Sequence, residues 1–202
     1  MSFRKVSTVV TGPLSGNVTS GISNDFYCTA DNNWRGSGVT RQDCKAAIEL
    51  LYTKEVRHHG DQDLEFLSPR ATQRSPNSMR TPRAYTIGSC TLAIVMLNFF
   101  PEGILPGAEK RLYSSRDVSS FLELYTIATQ IYQYCLLNKA QPGWAVAGSR
   151  EAIGVFLWGA KSEIDKFVRP GMASFGESIN LTILPAVALN SNVNISVSAD
   201  KR

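Results

Sequence analysis

Only the short segment from His58 to Glu65 gathers side chains that could bind a metal ion or exchange protons. It holds both histidines of the chain, followed by the carboxylates of Asp61, Asp63 and Glu65. A divalent cation needs imidazole nitrogens or carboxylate oxygens that converge on one point. The spacing matches neither HExxH nor a calcium-binding loop. We interpret the segment as a solvated turn after a helix, and we predict no metal ion and no cofactor.

Nucleophilic catalysis has little support in the sequence. A hydrolytic serine needs a histidine and an orienting acid, and the GxSxG motif of one hydrolase class is absent. Two carboxylates for glycoside hydrolysis need not be close in sequence, so a small hydrolase remains an alternative. The simpler explanation of Asp43 and Asp117 is that they cap helices. We expect a non-enzymatic protein and name no catalytic residue.

Two further segments could bind phosphate. Gly36-Ser37-Gly38 is shorter than a phosphate-binding loop and lacks its Lys-Ser/Thr, so it indicates a turn. The formal charge of +4 is carried by residues 68–83, which include four arginines and no acid: Arg70, Arg74, Arg80 and Arg83. This segment could contact phosphates or an acidic surface polymer, but it has no interleaved aromatic residues for base stacking. We predict a mobile basic loop and no nucleic-acid partner.

The tryptophans could form a platform for carbohydrate. Trp158 falls within an apolar strand pattern and is expected in the core. Trp34 and Trp144 fall in predicted loops, where they are better candidates for a contact surface.

Cysteines and glycosylation motifs point to the secretory pathway. The four cysteines, Cys28, Cys44, Cys90 and Cys135, form no CxxC or Cys/His cluster, and their even number suits two disulfides. Acceptor motifs for N-glycosylation occur at Asn17, Asn180 and Asn194. We predict a secreted, extracellular glycoprotein.

The first ten residues, MSFRKVSTVV, lack the apolar stretch of a signal peptide. A secreted form is therefore expected to have lost its leader. No apolar run approaches the length of a membrane-spanning helix.

The hydrophobic pattern predicts a flexible arm at residues 1–21 and a single domain at residues 22–198. A short strand near 22–29 precedes a helix that begins at Thr40 and ends at Gly60, and a short strand is expected at 64–67. Residues 85–97 resemble one buried strand with a bulge at Gly88.

The second half continues the pattern. Ser114 and Asp117 offer a cap for a second helix, which extends to Leu136. A loop at 140–144 precedes a buried strand at 151–160, and two half-buried strands are predicted within 177–197.

This order predicts an α+β fold, a two-layer sandwich in which two helices pack on one face of an antiparallel sheet, in a split β-α-β, ferredoxin-like layout. In that layout Cys28 lies near Cys44, and Cys90 near Cys135. The sequence therefore favours Cys28–Cys44 and Cys90–Cys135, among three possible connectivities.

The segments QDCKAAIELLY, YTIGSCTLAIVML, YQYCLL and EAIGVFLWGA resemble small secreted cysteine-containing proteins of filamentous fungi. The layout is similar to that of killer-toxin-like and necrosis-inducing effector families, which are α/β sandwiches. The resemblance covers residues 28–160. The chain departs from it in its predicted C-terminal strand pair, its basic loop and its two possible disulfides.

The resemblance implies a secreted, non-enzymatic interaction protein, effector-like or toxin-like, that acts by surface binding. The expected partner is an extracellular protein or a cell-surface polymer. The alternative is a small secreted hydrolase or carbohydrate-binding protein.

Overall fold

The computed structural model describes residues 26–36, 38–72, 75–100, 105 and 114–173, with side chains of the last helix described through Val168. The strands are β1 (Phe26–Cys28), β2 (Leu64–Leu67), β3 (Ser78–Arg80), β4 (Arg83–Ile87), β5 (Cys90–Met96), β6 (Arg116–Ser119), β7 (Gly143–Ala147) and β8 (Ile153–Gly159). The α-helices are α1 (Asn32–Arg35), α2 (Arg41–Leu51), α3 (Arg57–His59), α4 (Phe121–Ile131) and α5 (Glu163–Ala173). The predicted N-terminal arm and the predicted strand pair within 177–197 lie outside the described residues.

Five strands form an antiparallel sheet in the order β1-β7-β8-β5-β4. Its centre is β5 paired with β8, and all seven residues of each strand are buried. A near-continuous apolar run is typical of a strand that is covered on both faces. The α+β class with an antiparallel sheet is confirmed. In a ferredoxin-like sheet the first strand lies inside the sheet, whereas here β1 lies at the edge and β8 pairs with β5. The strand order therefore differs from the predicted layout.

The two long helices share one apolar cluster with the large sheet. α2 packs against β4 and β5, and α4 packs against β7 and β8. The opposite face carries a second apolar cluster, in which Trp34 of α1 and Ile164 of α5 cover Phe156 and Trp158. Sequence analysis did not predict these covering helices.

Residues 85–97 form two strands rather than one bulged strand. Ile87 pairs with Cys90, so Gly88 and Ser89 are the turn of a two-residue hairpin. Gly88 has φ +49°, a backbone conformation that glycine adopts without steric penalty. The change in the alternation of apolar residues at Gly88 thus marked the turn between two strands.

A three-stranded sheet, ordered β3-β2-β6, packs beside the larger one. Strand β2 has the predicted bounds, whereas β3 lies within the segment predicted to be a loop. Arg80 of β3 donates to the carbonyls of Pro69 and Ala71, at 2.9 and 3.3 Å. The sequence of β3 showed no apolar periodicity. Its conformation is defined by these hydrogen bonds and by the parallel pairing with β2.

Helix α2 begins as predicted, with the Thr40 side chain accepting a hydrogen bond from the Asp43 backbone N–H. The helical path then widens into a π-helical segment at Tyr52–Val56 before α3 ends at Gly60. Such wide turns are rare and are found mostly as single insertions within α-helices.

Helix α4 begins later than predicted. Residues 116–119 form β6, and the cap is Ser120, which accepts from the Glu123 backbone N–H at 3.1 Å. Asp117 is therefore not a helix cap. The helix also ends in a π-helical segment, at Tyr132–Leu137.

Candidate functional site

Two disulfides join the helices to the large sheet. Cys28 of β1 is bonded to Cys135 in the π-helical end of the second long helix, and Cys44 of α2 is bonded to Cys90 of β5. The presence of two disulfides is confirmed, but the favoured pairing is wrong. The large sheet places β1 at the edge beside β7, under the end of the second helix, and β5 under α2.

The two disulfides differ in their surroundings. Cys44, Cys90 and Cys135 are all 0% exposed, whereas Cys28 is partly exposed. The Nζ atom of Lys139 lies 3.8 Å from Cys28 Sγ. Cys28 is therefore the one cysteine of the four that is partly exposed, and a cation lies beside its sulfur.

The predicted histidine and carboxylate segment does not converge on one point. His58, Asp61 and Asp63 are exposed, and the ring of His59 packs 5.5 Å from that of Phe121. Glu65 accepts from Arg116, and no group of three or more metal-binding side chains occurs among the described residues.

A polar triad that sequence analysis missed lies between the π-helical turn and the start of β4. The Oε1 atom of Glu55 accepts from Arg83 Nη2 at 2.5 Å and from the Tyr85 hydroxyl at 2.9 Å. Arg83 Nε lies 3.4 Å from the Tyr85 hydroxyl oxygen. Glu55 belongs to the buried stripe of a helix, at a position where sequence patterns predict an apolar residue.

Burial shapes the protonation of this triad. It raises the pKa of Tyr85, so the phenol remains neutral and donates to Glu55. Burial acts to lower the pKa of Arg83, but Tyr85 and Glu55 favour the cation and the net direction is upward. The triad consists of the Glu55–Arg83 ion pair and a hydrogen bond from Tyr85, and it attaches β4 to the π-helical turn after α2.

Two aspartates tie loops to neighbouring elements. Asp43 accepts from the hydroxyl and the backbone N–H of Ser89, at 2.6 and 2.7 Å, and these bonds lower its pKa. Asp117 is buried and accepts from the backbone N–H groups of Arg150 and Ala152 at 2.9 and 2.8 Å. Both carboxylates hold turns in place.

The tryptophans lie in the core. Trp158 is buried as predicted, and its indole N–H donates to Asp165 at 3.1 Å. Trp34 and Trp144 are 3% and 1% exposed, so the prediction that they form a contact surface is wrong. Trp144 belongs to β7, which was predicted as a loop, and its ring stacks between Tyr27 and Phe156.

The arginines of the predicted basic segment that the structure describes lie in different environments. Arg70 is exposed, Arg74 lies outside the described residues, and Arg80 and Arg83 bind carbonyl and carboxylate oxygens. Arg70, Arg80 and Arg83 therefore do not act as one basic surface.

An aromatic and apolar surface lies where the two long helices meet, and we call it the Tyr52–Leu122 face. Tyr52 and Leu122 are 39% and 42% exposed. The Tyr52 ring packs 5.3 Å from that of Tyr125, and the Arg57 guanidinium lies 5.7 Å from its centroid. Leu122 donates its backbone N–H to Gly60, which holds the end of α3 against the start of α4.

The glycosylation candidates Asn17, Asn180 and Asn194 lie outside the described residues. Within the described part of the chain, no helix has the length and apolar character needed to cross a membrane. Comparison with protein-family models, curated proteins and solved structures found no significant match.

Proposed function

We propose that this chain is a secreted, non-enzymatic interaction protein, effector-like or toxin-like, that binds an extracellular partner through its surface. The observation that carries the proposal is the pair of disulfides that join both long helices to the sheet. Disulfides persist in oxidising compartments, and most cytosolic proteins lack them.

The hydrogen bonds that the buried carboxylates accept also support this proposal. Glu55, Asp117 and Asp165 accept hydrogen bonds from neighbouring strands and turns, so their charge serves folding. Catalytic acids and bases instead need access to a substrate.

The Tyr52–Leu122 face is the binding surface that we favour. Exposed aromatic residues with an adjacent arginine are typical of the centre of protein interfaces. Tyr52 and Arg57 lie on the helical segment that begins with α2, which the Cys44–Cys90 bond attaches to the sheet. Tyr125 and Leu122 lie on α4, whose π-helical end is attached by the Cys28–Cys135 bond.

The experiment measures saturable binding of the labelled oxidised protein to intact cells and to their extracellular protein fraction. The test variant is Tyr52→Ser with Leu122→Ser. Leu137→Ser is the control for exposed apolar area, since Leu137 is 40% exposed and is the last residue of the π-helical segment at the other end of the second helix. We expect the double variant to weaken binding at least tenfold while the control binds normally. Equal binding by all three proteins, or no saturable binding by wild type, would contradict the proposal.

A further inference from the structure

We propose that Cys28 Sγ is a site of thiol–disulfide exchange, where an anionic low-molecular-weight thiol such as glutathione opens the Cys28–Cys135 bond while Cys44–Cys90 stays closed. The exchange goes beyond the surface binding proposed above and does not depend on it.

Access to sulfur distinguishes the two disulfides. An attacking thiolate must reach one sulfur of the bond, so the rate depends on exposure. Both sulfurs of Cys44–Cys90 belong to residues that are 0% exposed, between α2 and β5. Cys28 is partly exposed on the edge strand β1, so the Cys28–Cys135 bond is the one that has a half of its cysteine pair in contact with solvent.

The charge beside Cys28 favours an anionic attacker. Lys139 Nζ lies 3.8 Å from Cys28 Sγ and is exposed. Arg41 and Arg35 donate to the carbonyls of Leu137 and Ala140, so two further cations lie against the segment that contains Lys139. A local excess of positive charge raises the concentration of anions at the surface.

The exchange proceeds in two steps. A thiolate attacks Cys28 Sγ, the bond to Cys135 breaks, and its electron pair leaves on Cys135 Sγ, which takes a proton from solvent. A second thiolate then attacks the sulfur of the thiol bound to Cys28, which releases Cys28 as a thiolate and forms the oxidised dimer of the small thiol. The Cys28 thiolate then also takes a proton from solvent. The protein thus gains two electrons from the two attacking thiolates and two protons from solvent, which equal the two protons that the small thiols released on ionisation.

Opening this bond affects a small part of the fold. Strand β1 has only three residues, which pair with β7 and stack through Tyr27 on Trp144 and through Phe26 on Tyr134. The Cys44–Cys90 bond still joins α2 to β5 after exchange. Release of β1 would leave β7 as the edge strand of the large sheet.

The test treats native protein with reduced glutathione, quenches it with an alkylating reagent at set times, and maps the alkylated cysteines by mass spectrometry. We expect Cys28 and Cys135 to react at least tenfold faster than Cys44 and Cys90. Equal rates for the two pairs, or faster reaction of Cys44 and Cys90, would overturn the proposal.

Variants test the role of Lys139. The Lys139→Gln variant should react with glutathione about twofold to fivefold more slowly at low salt, and Lys139→Arg should restore the rate. Lys166→Gln, on α5, is the control for the loss of one exposed positive charge. The difference in rate between Lys139→Gln and wild type should shrink in 0.5 M salt, where the Debye length is about 4 Å. A wild-type rate for Lys139→Gln at low salt would overturn the electrostatic part of the proposal.

Discussion

Glu55 and Arg83 are 28 residues apart in sequence, and their side chains form an ion pair with a 2.5 Å separation between Oε1 and Nη2. The pair joins the π-helical turn after α2 to the first residue of β4, and Tyr85 completes it from the same strand. Because the Glu55 and Arg83 side chains are only 8% and 20% exposed, each partner depends on the other for its buried charge.

Replacing one partner should destabilise the fold strongly. In Glu55→Gln, the largely buried Arg83 loses the charge of the Glu55 carboxylate beside it, and we expect a loss of about 3 kcal/mol in the free energy of unfolding. The measurement is chemical denaturation of the oxidised protein. The control is Glu49→Gln, whose exposed pair with Lys45 should contribute less than about 1 kcal/mol. Equal losses in the two variants would contradict a structural role for the buried pair.

Tyr85 should make stability sensitive to alkaline pH. Its pKa is raised by burial in the folded state, so its contribution is complete below the unfolded pKa of about 10 and declines as the pH rises above it. Tyr85→Phe should be less stable at pH 8, through loss of the bond to Glu55, and its stability should fall less steeply between pH 10 and 11. The measurement is the free energy of unfolding across this range. Parallel pH profiles would show that Tyr85 does not titrate differently on unfolding.

Asp43 should contribute to stability mainly above its ordinary pKa. Hydrogen bonds from the Ser89 hydroxyl and backbone N–H lower its pKa in the folded state. The contribution is therefore present above about pH 3.9 and is lost as the pH falls through the folded-state pKa. Asp43→Asn should melt at a lower temperature than wild type at pH 6, and the difference should shrink at pH 2. A difference that grows on acidification would contradict this linkage.

Gly143 should be required for the Cys28–Cys135 bond to form. A Cβ atom at this position would lie 2.5 Å from Cys135 Sγ and 2.9 Å from the Tyr27 carbonyl oxygen. Gly143→Ala should destabilise the protein by about 1–3 kcal/mol and reduce the yield of this disulfide on oxidative refolding. The matched control is Gly38→Ala, where a Cβ would meet nothing within 4 Å, although its φ of +119° adds backbone strain. A full yield of Cys28–Cys135 in Gly143→Ala would contradict the steric argument.

Removing each disulfide separately tests the pairing. The closed segments span 46 and 107 residues, for which the chain-entropy relation gives about 4 and about 5 kcal/mol of stabilisation. The double variant Cys28→Ser with Cys135→Ser should retain Cys44–Cys90, and Cys44→Ala with Cys90→Ala should retain Cys28–Cys135. Peptide mapping without reductant identifies the pairs. Recovery of Cys28–Cys44 or Cys90–Cys135 from wild type would contradict the structure.

Much of the local structure could be predicted because it depends on neighbours in sequence. The Thr40 cap and the buried stripe of Cys44, Ala47, Ile48 and Leu51 follow from helical spacing alone. The bounds of β2 and the burial of Trp158 likewise followed from apolar runs. The even number of cysteines predicted two disulfides.

Interactions between distant residues were decided by the tertiary structure. The order of strands in the sheet determined which cysteines meet, because β1 lies beside β7 and not beside the start of α2. Burial of Trp144 required β7 to pair with both β1 and β8, and Glu55 found its partners only when β4 packed against α2. Periodicity reports which face of an element is apolar, but sheet pairing brings together residues that no spacing rule connects. The amino-acid pattern thus determined the start of α2, the bounds of β2 and the number of disulfides, whereas packing decided β3, β6 and β7 and the partners of every strand and cysteine.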